Sequence, residues 1–493
     1  MNAHESSRLA ARKFLAFAFA YFALQTILRV LTTRSVELDE AEQLVMAQEF
    51  RWGYGVQPPL YTWVQSLFFG VFGVNILALA LLKNFILFGS CFFTFRAVRE
   101  MTADVRSAAI ASSSLFLLPQ FAWESQRDQT HSVLAVMIGV ALLCTLIRLT
   151  KNRSALGYAL FGLLGALGCM TKYNFAVFLV ALPLAVLSLK RFRGVVSDRR
   201  AWLAAAVFAL SGLPHIVWMR RHPADWLARA NEVHEHAATL WQACVASFAG
   251  LIVAIVAFSG LAALVFGIVF FRVAVVTEET ETAKNFRRLV GRILLVAVLI
   301  CIALAAGFQA HFKDRWMQPV LFITPIVLTL WFFRRLDARR TKLLLAVNAF
   351  IAAAVLIALA ATPVWAAATG HHRYLSLDYA DLAAQLQQHG FSRGVIVSES
   401  RKTGGNLKLS LPDSLMLAPE TPVFQTPANG SCALVWGTLP AAGLFAPPAL
   451  TNLVWKACGV DFSGRTPTGV EIPLEHCRGR TTRYAFIIIT NAH

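Results

Sequence analysis

Three carboxylates, Asp39, Glu40 and Glu42 of ELDEAEQLVMAQEF, follow directly on the first long apolar run of the chain. Carboxylates at the mouth of a membrane span are costly unless water or a partner meets them, so such a cluster is a functional candidate. A positioned carboxylate is an ordinary general base for attack by a hydroxyl or an amine. A second acidic candidate is Asp128 in WESQRDQTHSV, where it could orient a hydroxyl or hydrogen-bond to Asp39. Cationic candidates complement these: Lys172 in GCMTKYNF, and His311, Lys313 and Arg315 in HFKDRWMQP. An ammonium or guanidinium in such a place neutralises an arriving phosphate.

Each of these also has a structural reading. Asp39 and Glu40 open a helical pattern, and acidic residues favour helix N-termini whatever the protein does. Asp128 adjoins Arg127 and suits a surface ion pair or a cap, Lys172 can snorkel to the interface, and Asp314 can pair locally with Lys313 or Arg315. His222, His234 and His236 invite a metal reading. The last two, spaced i, i+2, point to different sides of a helix, and no carboxylate or cysteine supplies a convincing third ligand. The expectation is therefore no metal, a divalent ion standing as a minor alternative, and a loop over residues 220–244 able to cover a cavity. The chain has no glycine-rich phosphate loop, Walker pattern or GxSxG, so a donor is expected to be lipid-borne.

The elements that must position these residues are mostly apolar helices. The chain has 493 residues, 57% hydrophobic and 15% charged, with a mean hydropathy of +0.59. Soluble domains carry roughly 25% charge, so this composition is that of a polytopic membrane protein. With about 17–25 apolar residues per crossing, spans are expected near 13–31, 75–95, 107–121, 130–148, 155–171, 173–189, 201–219, 245–271, 290–308, 317–333 and 343–367. That makes about eleven. Arg8, Arg12 and Lys13 precede the first without a small-residue cleavage site, which reads as an uncleaved anchor.

The net charge of +18 does not indicate nucleic acid. Lys and Arg gather in the loops Arg96–Arg106, Arg148–Arg153, Lys190–Arg200, Arg272–Arg292 and Arg334–Lys342, all on the cytoplasmic, N-terminal side if PLYTWVQSLFFGVFG (59–73) lies along the interface instead of crossing. This parity puts 32–58, 122–129, the Lys172 junction, 220–244, 309–316 and everything after 368 outside. The candidate residues then share one membrane face, and their contacts include membrane lipids.

From about residue 371 hydropathy falls. SLDYADLAAQLQQHG reads as a helix stopped by Gly390, and GVIVSES, SCALVWG and YAFIIIT read as strands. The expected division is a transmembrane domain over 1–370 and a small extracytoplasmic α/β domain over 371–493. Cys432, Cys458 and Cys477 fall in the latter, where an oxidising compartment would favour one disulfide.

Taken together, LDEAEQLVMAQEF, QPPLYTW, QRDQTHSV, MTKYNF and HFKDRWMQPV, in that order, resemble the GT-C glycosyltransferases of the protein O-mannosyltransferase and lipid A aminoarabinose-transferase type, over roughly residues 10–340. The resemblance implies a polyprenyl-phosphate sugar donor. It also implies inverting transfer at the outer face of a bacterial cytoplasmic membrane, with lipid A or lipopolysaccharide core, another envelope glycan, or protein as acceptor. By similarity Asp39, with Glu40 beside it, matches the catalytic acidic position and Asp128 the second acidic one. Lys172, His311, Lys313 and Arg315 match carrier-phosphate contacts. Two positions depart from the pattern: Glu42, where relatives commonly have an aromatic or Arg, and Gln57, where they commonly have His or Lys. The rival reading is a transporter or flippase for a lipid-linked or anionic substrate, which predicts polar residues spread through the depth of the spans and repeat symmetry.

Overall fold

The computed structural model describes residues 3–224, 234, 239–276, 278–369, 377–419, 421, 424, 430–438, 444–459, 462, 464–477 and 479–492. Apart from a single turn at Ser125–Arg127, the described α-helices up to Thr369 run in chain order as α1 (Ala3–Thr32), α2 (Leu38–Met46), α3 (Leu60–Phe72), α4 (Ile76–Thr102), α5 (Val105–Ser113), α6 (His131–Lys151), α7 (Ala155–Cys169), α8 (Phe175–Ser188), α9 (Ala201–Arg221), α10 (Leu240–Val269), α11 (Glu281–Phe308), α12 (Gln318–Leu321), α13 (Thr324–Trp331) and α14 (Ala338–Thr369). Seven of the described helices, α1, α4, α6, α9, α10, α11 and α14, are long and apolar enough to cross a bilayer. The remaining expected spans coincide with shorter apolar helices.

Two of these are broken. After α5 the backbone tightens into a 3₁₀ turn at Ser114–Leu117 and then widens to a π turn at Gln120–Glu124. Pro119, which lacks an N–H, stands between them. The 317–333 segment splits into α12 and α13, with Pro319 and Pro325 in their first turns.

The chain divides into two compact units. The first comprises Met1–Ala23, Val56–Leu60 and Lys83–Val355. Its helices approach closely through small residues, as helices in lipid do when no hydrophobic effect drives them together. A Cβ on Gly162 of α7 would collide with the Ala204 carbonyl of α9, and one on Gly139 of α6 would stand 2.7 Å from the Phe322 ring. Val253, Leu264 and Ile268 of α10 remain exposed, a surface suited to lipid.

The second unit comprises Leu24–Gly55, Tyr61–Leu82 and Leu356–His493. Its five-stranded sheet has the order β2-β1-β3-β5-β4, with β1 (Gly394–Ser398), β2 (Leu415–Leu417), β3 (Gly430–Thr438), β4 (Thr468–Pro473) and β5 (Thr481–Ala492). β1 pairs parallel with β2 and β3, while β5 runs antiparallel between β3 and β4. Helices α15 (Tyr379–Gln388), α16 (Arg401–Ser410) and α17 (Pro448–Cys458) accompany it. The expected helix and three strands are α15, β1, β3 and β5. Helix α16 escapes a propensity reading because RKTGGNLKLS carries two successive glycines. It starts nonetheless, because the Ser400 hydroxyl caps the Thr403 N–H. Of the three C-terminal cysteines, Cys477 donates its thiol to the Ala366 carbonyl at 3.6 Å, and the Cys458 side chain lies outside the described residues.

One half-buried acid follows β1. Glu399 accepts a hydrogen bond from the Thr403 hydroxyl at 2.7 Å, and its other carboxylate oxygen is buried without a hydrogen-bond partner. Burial pushes this carboxyl above the usual glutamate range, against the lowering effect of the Thr403 hydroxyl and the Gly437 N–H. A raised folded value means the folded unit takes up the proton more readily than the unfolded chain. The associated stability is full below the ordinary value of about 4.3 and is lost as pH rises through the folded value. Glu399→Gln is therefore expected to raise the melting temperature above wild type at pH 7.5, with the difference closing as pH falls toward 4.5. Melting curves of purified protein across that range check it, and a pH-independent difference would contradict the assignment.

Candidate active site

The first unit holds a cavity of about 800 Å³. Its walls are largely apolar, with Val177, Leu304, Phe308, Met317 and Val320 among them, and its polar lining includes Gln57, Lys172, Tyr173, Asn174, His234 and His311. Lys172 lies in the break between α7 and α8, two helices too short to run past it. Its ammonium donates to the Ser132 hydroxyl and to the Arg315 carbonyl, the latter at 3.4 Å. Asn174 donates to the Trp316 carbonyl, so the lysine junction and the basic stretch are tied together across some 140 residues of chain.

The basic stretch is less uniform than its composition suggests. His311 lines the cavity and sets its ring edge against Trp316, centroids 5.7 Å apart. Lys313 and Arg315 are exposed and are not among the residues lining the cavity. Lys313 instead lies 5.0 Å from the centre of the Trp316 ring, a cation–π contact. The expected local pairing of Asp314 does not form: its carboxylate accepts from the Gln120 amide at 2.8 Å and from the Arg315 backbone N–H at 2.8 Å. Between α11 and this stretch, Gln309 adopts the left-handed conformation with φ of 45° and also lines the cavity. A non-glycine residue held there stores strain, a feature that gathers at functional sites.

Asp128 ends the short helical turn Ser125–Arg127. It is half-buried and outside the cavity lining, and its carbonyl accepts from the Lys83 ammonium at 3.2 Å. Arg127 bridges Glu124 at 3.2 Å. Lys83, only 2% exposed, was missed by the sequence reading. The available signal was a lysine inside the apolar run ILALALLKNFILFG, since an ionisable residue in a span is a functional flag in itself.

The acidic stretch belongs to the second unit. Helix α2 carries Glu40 buried against Arg29 at 2.7 Å, and Glu42 buried against Arg401. Glu37, just ahead of the helix, pairs with Lys402 at 2.8 Å. Asp39 is half-buried in the first turn. Tyr61, the tyrosine of QPPLY, is fully buried close enough to feel this helix: burial raises its phenol well above the ordinary value, and the charges of Glu40 and Asp39 raise it further. Tyr61 therefore keeps its proton and is a neutral donor at any working pH. Glu42, one of the two departures from the family pattern, has a structural partner in Arg401, and Gln57, the other, lines the cavity.

No group of three or more His, Cys, Asp or Glu residues able to hold a metal occurs among the described residues, and His236 lies outside them.

A family model described as dolichyl-phosphate-mannose-protein mannosyltransferase matches residues 56–218. The chain is 32% identical over 495 residues to the lipopolysaccharide core galacturonosyltransferase RgtB of Rhizobium johnstonii, covering 98% of both chains. It is 31% identical over 433 residues to RgtA of the same organism, a protein of the same description, covering 85% of each. Among solved structures, ArnT from Cupriavidus metallidurans bound to undecaprenyl phosphate matches over 98% of each chain with a TM-score of 0.58 at 12% identity. The apo form of ArnT matches with a TM-score of 0.59 at 11% identity, over 96% of this chain and 97% of that one. The fold is that of a multi-pass GT-C membrane protein. The chain belongs to the family of membrane glycosyltransferases that includes these two lipopolysaccharide core galacturonosyltransferases, and it is a glycosyltransferase; the transporter reading is not favoured.

Proposed function

We propose that the protein transfers a uronic acid sugar from a polyprenyl-phosphate carrier to the core of lipopolysaccharide, at the outer face of the cytoplasmic membrane. The observation that carries this is the cavity: apolar walls suited to a prenyl chain, with Lys172 and His311 suited to the phosphate. The full-length similarity to two galacturonosyltransferases supports the sugar and the acceptor.

In this reading the acceptor hydroxyl oxygen attacks the anomeric carbon as the bond from that carbon to the phosphate oxygen breaks. The bonding pair leaves with the phosphate, the hydroxyl proton passes to Asp39, and the anomeric centre inverts. The phosphate departs already ionised, so no strong general acid is needed, and orientation with charge stabilisation supplies most of the catalysis. Lys172 neutralises the phosphate, His311 on the same cavity lining offers it a hydrogen bond, and Lys313 and Arg315 add positive charge from outside that lining. Asp128 orients the acceptor, and Glu40, engaged with Arg29, holds the acidic helix. About eleven crossings, a cytoplasmic N-terminus and an extracytoplasmic 371–493 region complete the reading.

Purified protein in detergent, given labelled polyprenyl-phosphate galacturonate and lipopolysaccharide core, should move the label to the core. Detergent removes any gradient, so transfer there also excludes pure transport. A core glycan whose mass is unchanged when the gene is deleted would overturn the acceptor assignment.

A further inference from the structure

Helix α16 grips the acidic helix α2 in a manner that its distance along the chain conceals. Arg401 and Lys402, in the first turn of α16, pair with Glu42 and Glu37. One turn on, Asn406 holds the Val36 backbone from both sides: its carbonyl accepts the Val36 N–H at 2.8 Å, and its amide donates to the Val36 carbonyl at 2.9 Å. Between them Gly405 lies so close that a Cβ there would collide with the Ala41 carbonyl. At the far end of α2, Gln48 repeats the device, accepting from the Met416 N–H at 2.8 Å and donating to the Met416 carbonyl at 2.9 Å. Val45 is counted within the core that underlies the sheet.

Taken together these contacts fix α2 along its length, at its charged ends and through its backbone. Two amides, Asn406 and Gln48, each satisfy both polar groups of one buried residue in the way a sheet neighbour would. Val36 lies three residues before Asp39 and Glu42 three after it, so both flanks of the candidate base are held by α16. None of Arg401, Lys402 or Asn406 belongs to a strand of the sheet.

We propose that Arg401 and Asn406 are positioning residues for sugar transfer, setting the angle and depth of Asp39 through α2. The inference rests on the reading of Asp39 as the proton acceptor. A misplacement of about 1 Å in a reacting group can cost on the order of 100-fold in rate. Arg401 and Asn406 should therefore act on turnover and not on donor affinity.

The test is steady-state kinetics on the full-length enzyme in detergent, with melting temperature measured on the same samples. Arg401→Gln and Asn406→Ala are each expected to lower kcat by about 10- to 100-fold with KM for the lipid donor within twofold of wild type. Arg401→Lys, which keeps the charge opposite Glu42, should recover most of the loss. A kcat within twofold of wild type in both variants, or a loss that simply follows the fraction of folded protein, overturns the proposal. Asp39→Asn, run in parallel, separates the two assignments: an active Asn variant removes the base, whereas an inert one beside full-rate Arg401→Gln and Asn406→Ala removes the positioning role.

Discussion

Asp39→Asn is expected to lower turnover by about 100- to 10,000-fold, the range over which a positioned general base contributes, without loss of folded protein. The substitution keeps size and hydrogen-bonding shape while removing the basic lone pair. The ion pairs of Glu37, Glu40 and Glu42 with Lys402, Arg29 and Arg401 remain in the variant and continue to anchor this helix. Binding of undecaprenyl phosphate, followed as a shift in melting temperature, should be unchanged, since the carrier is assigned to the cavity around Lys172 and His311. Glu40→Gln gives the contrast. It breaks a buried pair with Arg29, so its loss should appear as lowered thermal stability as well as lowered rate. An Asp39→Asn enzyme retaining more than a tenth of wild-type kcat would remove Asp39 from the reaction.

The second large effect is expected at Lys172. Replacing it with Met keeps the length of the stem but removes the charge and the hydrogen bonds donated to Ser132 and to the Arg315 carbonyl. If the ammonium stabilises the phosphate as the glycosidic bond breaks, kcat/KM should fall by about 100- to 1,000-fold, as it does when one donor to a developing oxyanion is lost. The discriminating measurement is ligand preference. Wild-type protein should be stabilised by undecaprenyl phosphate far more than by undecaprenol, and Lys172→Met should stop distinguishing them. A variant that still prefers the phosphate would place the phosphate contact elsewhere.

Sequence alone made one side of each interaction legible. Asp39 and Lys172 stood out because a charged residue beside or between apolar runs is expensive and therefore conspicuous. Their partners did not, for a common reason. Arg401 and Asn406 sit more than 350 residues from Glu42 and Val36, in a segment whose paired glycines argue against a helix when read locally. Those glycines are there for a close approach that only the folded unit reveals. Tyr61 falls in the 59–73 segment expected along the interface, and its burial beside the acidic pair depends on tertiary packing. The broken helices over 107–121 and 317–333 were hidden by hydropathy, which averages over the prolines. Asp314 shows the converse failure: adjacency suggested an ion pair with Lys313 or Arg315, and a glutamine 194 residues away took the carboxylate instead.

The grip of α16 on α2 also bears on how the enzyme is made. Beyond the pairing of Glu40 with Arg29 and of Gln43 with Thr62, residues 36–48 are held by residues 401–416, so the acidic helix can be threaded and released early in synthesis but cannot be fully seated until the last fifth of the chain emerges. A nascent or truncated chain ending near residue 370 would retain the cavity-lining residues and lack every α16 contact with α2. On the proposed reading of Lys172 and His311 as the carrier-phosphate site and Asp39 as the base, such a chain should bind a carrier before it can use one, and completion of the polypeptide should itself switch the enzyme on.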